Sequence, residues 1–318
     1  MAGRCRLVIR ILWPLAAAAL LLAVPAHASK LNLPAEAAEG LRLLYNGDPD
    51  AALPLFQKIQ REQPDQPLGF LLEAEVRWWK IYCQSLEIKW NLIDAWRHPR
   101  SAGDDEYLAL ADKSTQLAEA LLAKNDTPQM HLYAGMGFLL RARLLALRDE
   151  KRGTARAGVK AREHFLRATV LDPELADAYT GLGLYNYYVD TLSGFAKILR
   201  FFMGIPGGAK HVGVQQLERA MKNGELTAVE ARFYLAKNLR NYDQQYERAA
   251  DVLAPLADQY PQNPLFPLLI GDMNAKLNRK EKAAAAFHAA ENLAAHDPGC
   301  AKRLSEVIRA ALVALGGK

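Results

Sequence analysis

Three spacings recur along the chain, and together they leave little freedom in what it can fold into. In EGLRLLYNGDPDAALPLFQKIQREQPDQP, Gly40 is followed twelve residues on by Ala52, four further by Phe56 and eight further by Pro64. In GDMNAKLNRKEKAAAAFHAAENL, Gly271 is followed at the same distances by Ala283 and Phe287. AREHFLRATVLDP repeats the second half with Ala161, Phe165, Ala168 and Pro173, and AADVLAPLADQYP with Ala249, Leu253, Leu256 and Pro261. A small residue, a large apolar one and a proline at fixed distances mark one supersecondary unit used several times. The chain is rich in Ala and Leu and has no long alternating β-branched runs, so the units are helical.

The pattern resembles the tetratricopeptide repeat, a helix–turn–helix unit written W-x2-L-G-x2-Y…A-x3-F…P. Tyr179, Leu182 and Gly183 carry its first-helix half in the fourth unit, and Ile270-Gly271 in the sixth. The physics agrees. Small residues such as Gly40 and Ala52 let two antiparallel helices approach, Phe56 fills the space towards the next helix, and Pro64 ends the second helix. Six units are expected, with first helices centred on Gly40, Ala74, Gly137, Gly183, Ala236 and Gly271. Residues 299–315 read as an amphipathic helix covering the end of the stack. The expected fold is therefore all-α, a superhelical solenoid of tetratricopeptide-like hairpins over residues 29–318.

The three central units depart from the regular length. About 18 residues are added between Gly183 and Gly213 and about 12 between Gly137 and Ala161, against the regular unit of this repeat. The second unit carries an insertion over Gln84–Asp104 that holds Trp90, Trp96 and the turn Arg97-His98-Pro99-Arg100. Insertions of this length have structure or a function of their own. In the fourth, Val189–Pro206, the residues Phe195, Ile198, Leu199 and Phe202 recur at helical spacing and Lys197 and Arg200 fall off that stripe. A short amphipathic helix packed on the solenoid is expected, with contact to a lipid surface as the alternative. Asp190, Lys197 and Arg200 argue against a membrane span.

The N-terminus has the form of a secretory signal. Arg4, Arg6 and Arg10 precede the apolar run ILWPLAAAALLLAV, and Ala26-His27-Ala28 supplies an A-x-A cleavage site. Residues 1–28 are read as the signal, Ser29 as the mature start, and the periplasm as the destination. Residues 1–28 hold three of the 40 basic residues and no acidic one, so the remainder carries 37 basic against 35 acidic residues. That balance does not suggest a nucleic-acid partner. Cys83 falls in the second unit and Cys300 in the end cap. Because units of a solenoid touch only their neighbours, the two are expected to be apart and unbonded.

Chemistry is hard to find. GIPGGAKH lacks the second glycine and the hydroxyl of a phosphate loop. The seven histidines are scattered, and Pro298 and Gly299 break any helix between His296 and Cys300. No G-x-S-x-G elbow is present. The expectation is a binder, not an enzyme, with no catalytic residues, no metal and no cofactor. The repeat family lines its concave groove with first helices, and there the positions four and five after each small residue are Leu44 and Tyr45, Trp78 and Trp79, Arg141 and Ala142, Tyr187 and Tyr188, Arg240 and Asn241, Ala275 and Lys276. Aromatic and basic residues of this kind favour interface hot spots. Trp78, Trp79, Arg141, Tyr187, Tyr188, Lys237, Arg240 and Asn241 are therefore the candidate partner-binding residues. Of these, Lys237, Arg240 and Asn241 suit an acidic or carboxylate group of the partner. The expected function is an exported scaffold that binds a protein or peptide in the cell envelope. Binding of glycan or lipid through the aromatic inserts, with peripheral membrane contact, is the second reading.

Overall fold

The computed structural model describes residues 31–316, and the segment read as a signal lies outside the described residues. The fold is an all-α superhelical solenoid of tetratricopeptide-like hairpins with long inserts in the central units. The first unit pairs α1 (Ala35–Tyr45) with α2 (Pro49–Glu62), and the second α3 (Leu68–Gln84) with α4 (Gly103–Leu122). The third pairs α5 (Pro128–Leu147) with α6 (Lys151–Leu171). In the fourth, α7 (Ala178–Thr191) pairs with α9 (Lys210–Asn223), and α8 (Gly194–Phe202) lies between them in sequence. The fifth is α10 (Ala228–Asn241) with α11 (Tyr246–Gln259), and the sixth α12 (Leu265–Lys276) with α13 (Lys280–Leu293). The final helix, α14 (Ala301–Gly316), packs on α13 and α12.

The predicted glycines Gly40, Gly137, Gly183 and Gly271 lie where a second helix approaches, and a Cβ on them would crowd Phe56, Thr115, Leu217 and Phe287 respectively. Gly135 and Gly181, which the spacing does not single out, behave alike. A Cβ on Gly271 would meet the Phe287 ring at 2.6 Å. A Cβ on Gly135 would meet the Phe165 ring at 2.8 Å, and one on Gly181, in the next unit, would collide with the same ring. Phe165 is fully buried. It therefore fills the space between its own hairpin and the following first helix, as the spacing predicts. Two helix starts carry side-chain caps: Asp48 caps α2 by accepting from the Ala51 N–H at 2.9 Å, and Thr127 caps α5 ahead of Pro128.

The inserts take three different forms. In the third unit the added residues lengthen both helices, leaving only three residues between them. In the second they form a β-hairpin, β1 (Leu86–Lys89) against β2 (Leu92–Ala95), antiparallel with Leu86 opposite Ala95. Its two turn residues, Trp90 and Asn91, both have positive φ, 48° and 62°. That is the backbone sense which matches the strand twist of a two-residue hairpin. In the fourth unit the insert is α8 and the loops that flank it.

The stack does not stay open. Cys83 at the end of α3 and Cys300 ahead of α14 form a disulfide, with α-carbons 6.0 Å apart across 217 residues of sequence. This corrects the expectation that they stand apart. The nearest-neighbour rule fails because α14 reaches back over the end of the stack to β1 and α3. The first unit also meets the link between the fifth and sixth: the Asn263 side chain donates to the Tyr45 carbonyl at 2.8 Å, and Tyr45 lies 5.8 Å from Tyr260. The cause is the apolar character of the inner wall. Aromatic side chains hide on the order of 150–250 Å² each when buried, and here rings from α1, α3 and α10 cover one another: Tyr45 lies 6.1 Å from Trp79, and Trp79 4.9 Å from Phe233.

Candidate partner-binding site

The predicted stripe is on the inner wall, but closure packs most of it. Trp78, Trp79, Tyr187 and Arg240 are buried, and the expectation of an open aromatic groove is corrected for these four. Trp78 lies under the Arg143 guanidinium at 4.5 Å, and Trp79 is enclosed by Tyr45, Tyr82 and Phe233. The Tyr187 hydroxyl donates to Asp243 at 2.7 Å, and Tyr188 stacks edge-on between Tyr187 and Tyr242. Arg141 is separate from the others, half-exposed on α5, with Nη1 2.8 Å from both oxygens of Asp112.

Lys237, Arg240 and Asn241 are three and four residues apart on α10, so they share one face. They do receive a carboxylate, and it belongs to this chain. Asp94, on β2, is buried with its Oδ1 2.9 Å from Lys237 Nζ and its Oδ2 3.1 Å from Arg240 Nη2. The Asn241 amide donates to Oδ2 and the Tyr82 hydroxyl to Oδ1 at 2.8 Å. Burial opposes ionisation of Asp94, but Lys237, Arg240 and Asn241 outweigh it and hold the carboxyl below its usual range. Burial and the neighbouring Asp94 push the Tyr82 phenol well up, so it stays a donor. Arg240 continues to Asp272 on α12 at 3.3 Å, and Asp272 accepts the Ile93 N–H at 3.4 Å. The hairpin thus sits on the inner wall as an extended segment, gripped through one acidic side chain and one backbone amide.

A second charged group lies deeper. Arg143 on α5 donates to Glu75 of α3 and to Glu230 of α10, each at 2.6 Å, and its Nε to the Tyr107 hydroxyl at 3.0 Å. Burial, with Glu230 alongside, raises the Glu75 carboxyl to about 8 against the pull of Arg143. Sequence reading missed this trio, because nothing local marks three residues from three units as partners. On α3 and α10 the indole N–H groups of Trp78 and Trp79 and both side-chain amide atoms of Asn238 are buried without a hydrogen-bond partner among the described residues.

Among the described residues no group of three or more His, Cys, Asp or Glu could hold a metal ion. His131 and His164 face each other, Nδ1 to Nδ1 at 2.9 Å, with His131 Nε2 on Asp126 at 2.7 Å. Two imidazoles in mutual hydrogen bond are a packed pair between α5 and α6.

No family model matches the chain, and no curated protein does. Solved structures do resemble it. A tetratricopeptide protein of Thermus thermophilus, TTC0263, matches at 15% identity and a TM-score of 0.43, over 75% of this chain and 96% of that one. The C-terminal part of a repeat-containing protein from Cytophaga hutchinsonii matches at 14% identity and 0.37, over 81% and 79%. YrrB, described as a tetratricopeptide protein with an unusual peptide-binding site, matches at 16% identity and 0.33, over 75% and 91%. The fold assignment rests on the hairpins, their glycine contacts and their order, and these likenesses run alongside it.

Proposed function

We propose that the chain is an exported scaffold of the cell envelope that binds a protein partner. On this reading Lys237, Arg240 and Asn241 take a carboxylate of an extended acidic segment of that partner once the β1–β2 hairpin is displaced. The observation that carries the reading is Asp94: two cations and two neutral donors converge on a single carboxylate presented by a strand. Charge-assisted bonds of this kind are stronger than neutral ones and fix orientation as well as affinity. The chain acts by binding and not by catalysis.

The test is complementation in trans. The full chain with residues 86–95 replaced by a short Gly/Ser linker is first shown by circular dichroism to fold. It is then titrated against a labelled peptide with the sequence of residues 91–97, NLIDAWR. Fluorescence anisotropy should show binding that weakens at least tenfold when the peptide's Asp becomes Asn or when Lys237→Ala is introduced. The unaltered chain, with its own hairpin in place, should bind the peptide much less. A folded deletion variant that ignores the peptide, or binds the Asn form equally, overturns the proposal.

A further inference from the structure

The fourth-unit insert has no part in the inner wall, and its exposed side chains are of an unusual kind. On α8 and its flanks Ile198 is 59% exposed, Phe201 75% and Met203 54%, and Leu192 is also exposed. The packing expected of Ile198 is therefore corrected, while the side chains of Phe195, Leu199 and Phe202 lie outside the described residues. On the helix Phe201 lies between Ile198, three before it, and Lys197, four before it, so apolar and basic side chains flank one another on the exposed side. No acidic residue occurs between Thr191 and Leu217, while Lys197, Arg200 and Lys210 fall in that stretch.

The cations are held in place. Arg200 Nη1 donates to the Ile205 carbonyl at 2.9 Å, Lys197 bonds Asp190 at 3.0 Å, and the Asp190 carboxylate also accepts the Lys210 N–H at 2.9 Å. The arm is fixed to the solenoid by the Tyr185 hydroxyl, which donates to the Pro206 carbonyl at 2.8 Å. Arg162 of α6 lies 5.3 Å over the Tyr185 ring and adds one more positive charge beside the arm. The result is a short helix with large apolar side chains turned to solvent and cations alongside.

We infer that this arm is a docking surface for an anionic phospholipid bilayer, with α8 lying in the interface. The charge is of the complementary sign: Lys210 Nζ pairs with Asp243 at 2.5 Å and Lys197 with Asp190, so Lys197, Arg200, Lys210 and the adjacent Arg162 stand against two acids. Apolar side chains on one side and cations beside them are how an interfacial helix combines burial at the acyl boundary with attraction to anionic headgroups. No helix among the described residues is long and apolar enough to cross a membrane, so the contact is peripheral. It uses residues distinct from Lys237, Arg240 and Asn241, and the two proposals stand or fall separately.

The experiment is vesicle co-sedimentation of the full mature chain with phosphatidylcholine vesicles, with and without an equal share of phosphatidylglycerol. The expected result is binding to the phosphatidylglycerol vesicles that weakens at least tenfold on raising salt from low to high. The exposed pair Ile198→Ser and Met203→Ser should reduce it at least tenfold with an unchanged thermal midpoint. Absence of binding to either vesicle overturns the inference, as does equal binding by the double variant. If the double variant instead loses a protein partner while neither chain binds vesicles, the arm is a protein-docking surface and the lipid assignment is wrong.

Discussion

Removing the Cys83–Cys300 bond tests the closed architecture most directly. The bond spans 217 residues of sequence, from the second unit to the start of the terminal helix. In the chain-entropy account, a cross-link over a loop of that length restricts the unfolded ensemble by about 5 kcal/mol, and measured effects centre on ~2–4 kcal/mol. Against a typical domain stability of about 5–15 kcal/mol, such a loss is large. Both cysteines are buried, so a Cys83→Ala, Cys300→Ala variant also loses packing. Reducing the native chain with dithiothreitol keeps both sulfurs and isolates the covalent effect. The assay is guanidinium unfolding followed by circular dichroism, oxidised against reduced. Reduction should lower stability by about 3–5 kcal/mol. It should also steepen the denaturant dependence, because an unlinked unfolded chain exposes more surface. Identical midpoints and slopes, or non-reducing peptide maps that show two free thiols, would refute the reasoning and return the chain to an open solenoid.

Other substitutions probe the packing and the charges. Phe165→Ala removes the ring that separates Gly135 from Gly181 and should cost about 3–5 kcal/mol by urea unfolding. Trp79→Ala, in the aromatic contact between α1, α3 and α10, should cost a similar ~3–5 kcal/mol, so its effect on binding is readable only beside its effect on stability. The Glu75 carboxyl is raised from 4.5 to about 8, so the folded chain binds a proton that the unfolded chain has released, and stability falls as pH rises through that window. Glu75→Gln should remove this slope and be most stabilising relative to the native chain at pH 8 and above; parallel pH–stability curves for the two chains would contradict the assignment.

Local features of the fold are readable in the sequence, and the reason is that they are set by near neighbours. Gly271 and Phe287, or Gly40 and Phe56, interact within one hairpin, so their spacing is a consequence of the contact they make. The face formed by Lys237, Arg240 and Asn241 is legible for the same reason. What they hold is not, because Asp94 is 146 residues from Arg240. The β-hairpin is faint in sequence: LEIK and LIDA are short, and the turn Trp90-Asn91 reaches positive φ without a glycine. Closure is the least visible feature. Aromatic residues at first-helix positions are equally consistent with an open groove and with a wall packed against itself, and only the distances between Tyr45, Trp79 and Phe233 decide it.

The two buried charge groups have a role in that closure which the rings cannot fill. Aromatic packing supplies most of the driving force, but it tolerates sliding and repacking. Arg143 joins the second, third and fifth units through Glu75 and Glu230, and Arg240 joins the second-unit hairpin, the fifth unit and the sixth through Asp94 and Asp272. Removing Arg143 or Arg240 leaves buried carboxyls without their cation, at about 3–5 kcal/mol, so any closure that mispairs either arginine is disfavoured by that much at each site. An apolar set of the same volume could be as stable or more so, yet it would not say which units must meet. The charges therefore define the register of the closed stack. They also fix the β1–β2 hairpin on the inner wall through the Asp94 carboxylate, the contact that the proposed partner would have to replace.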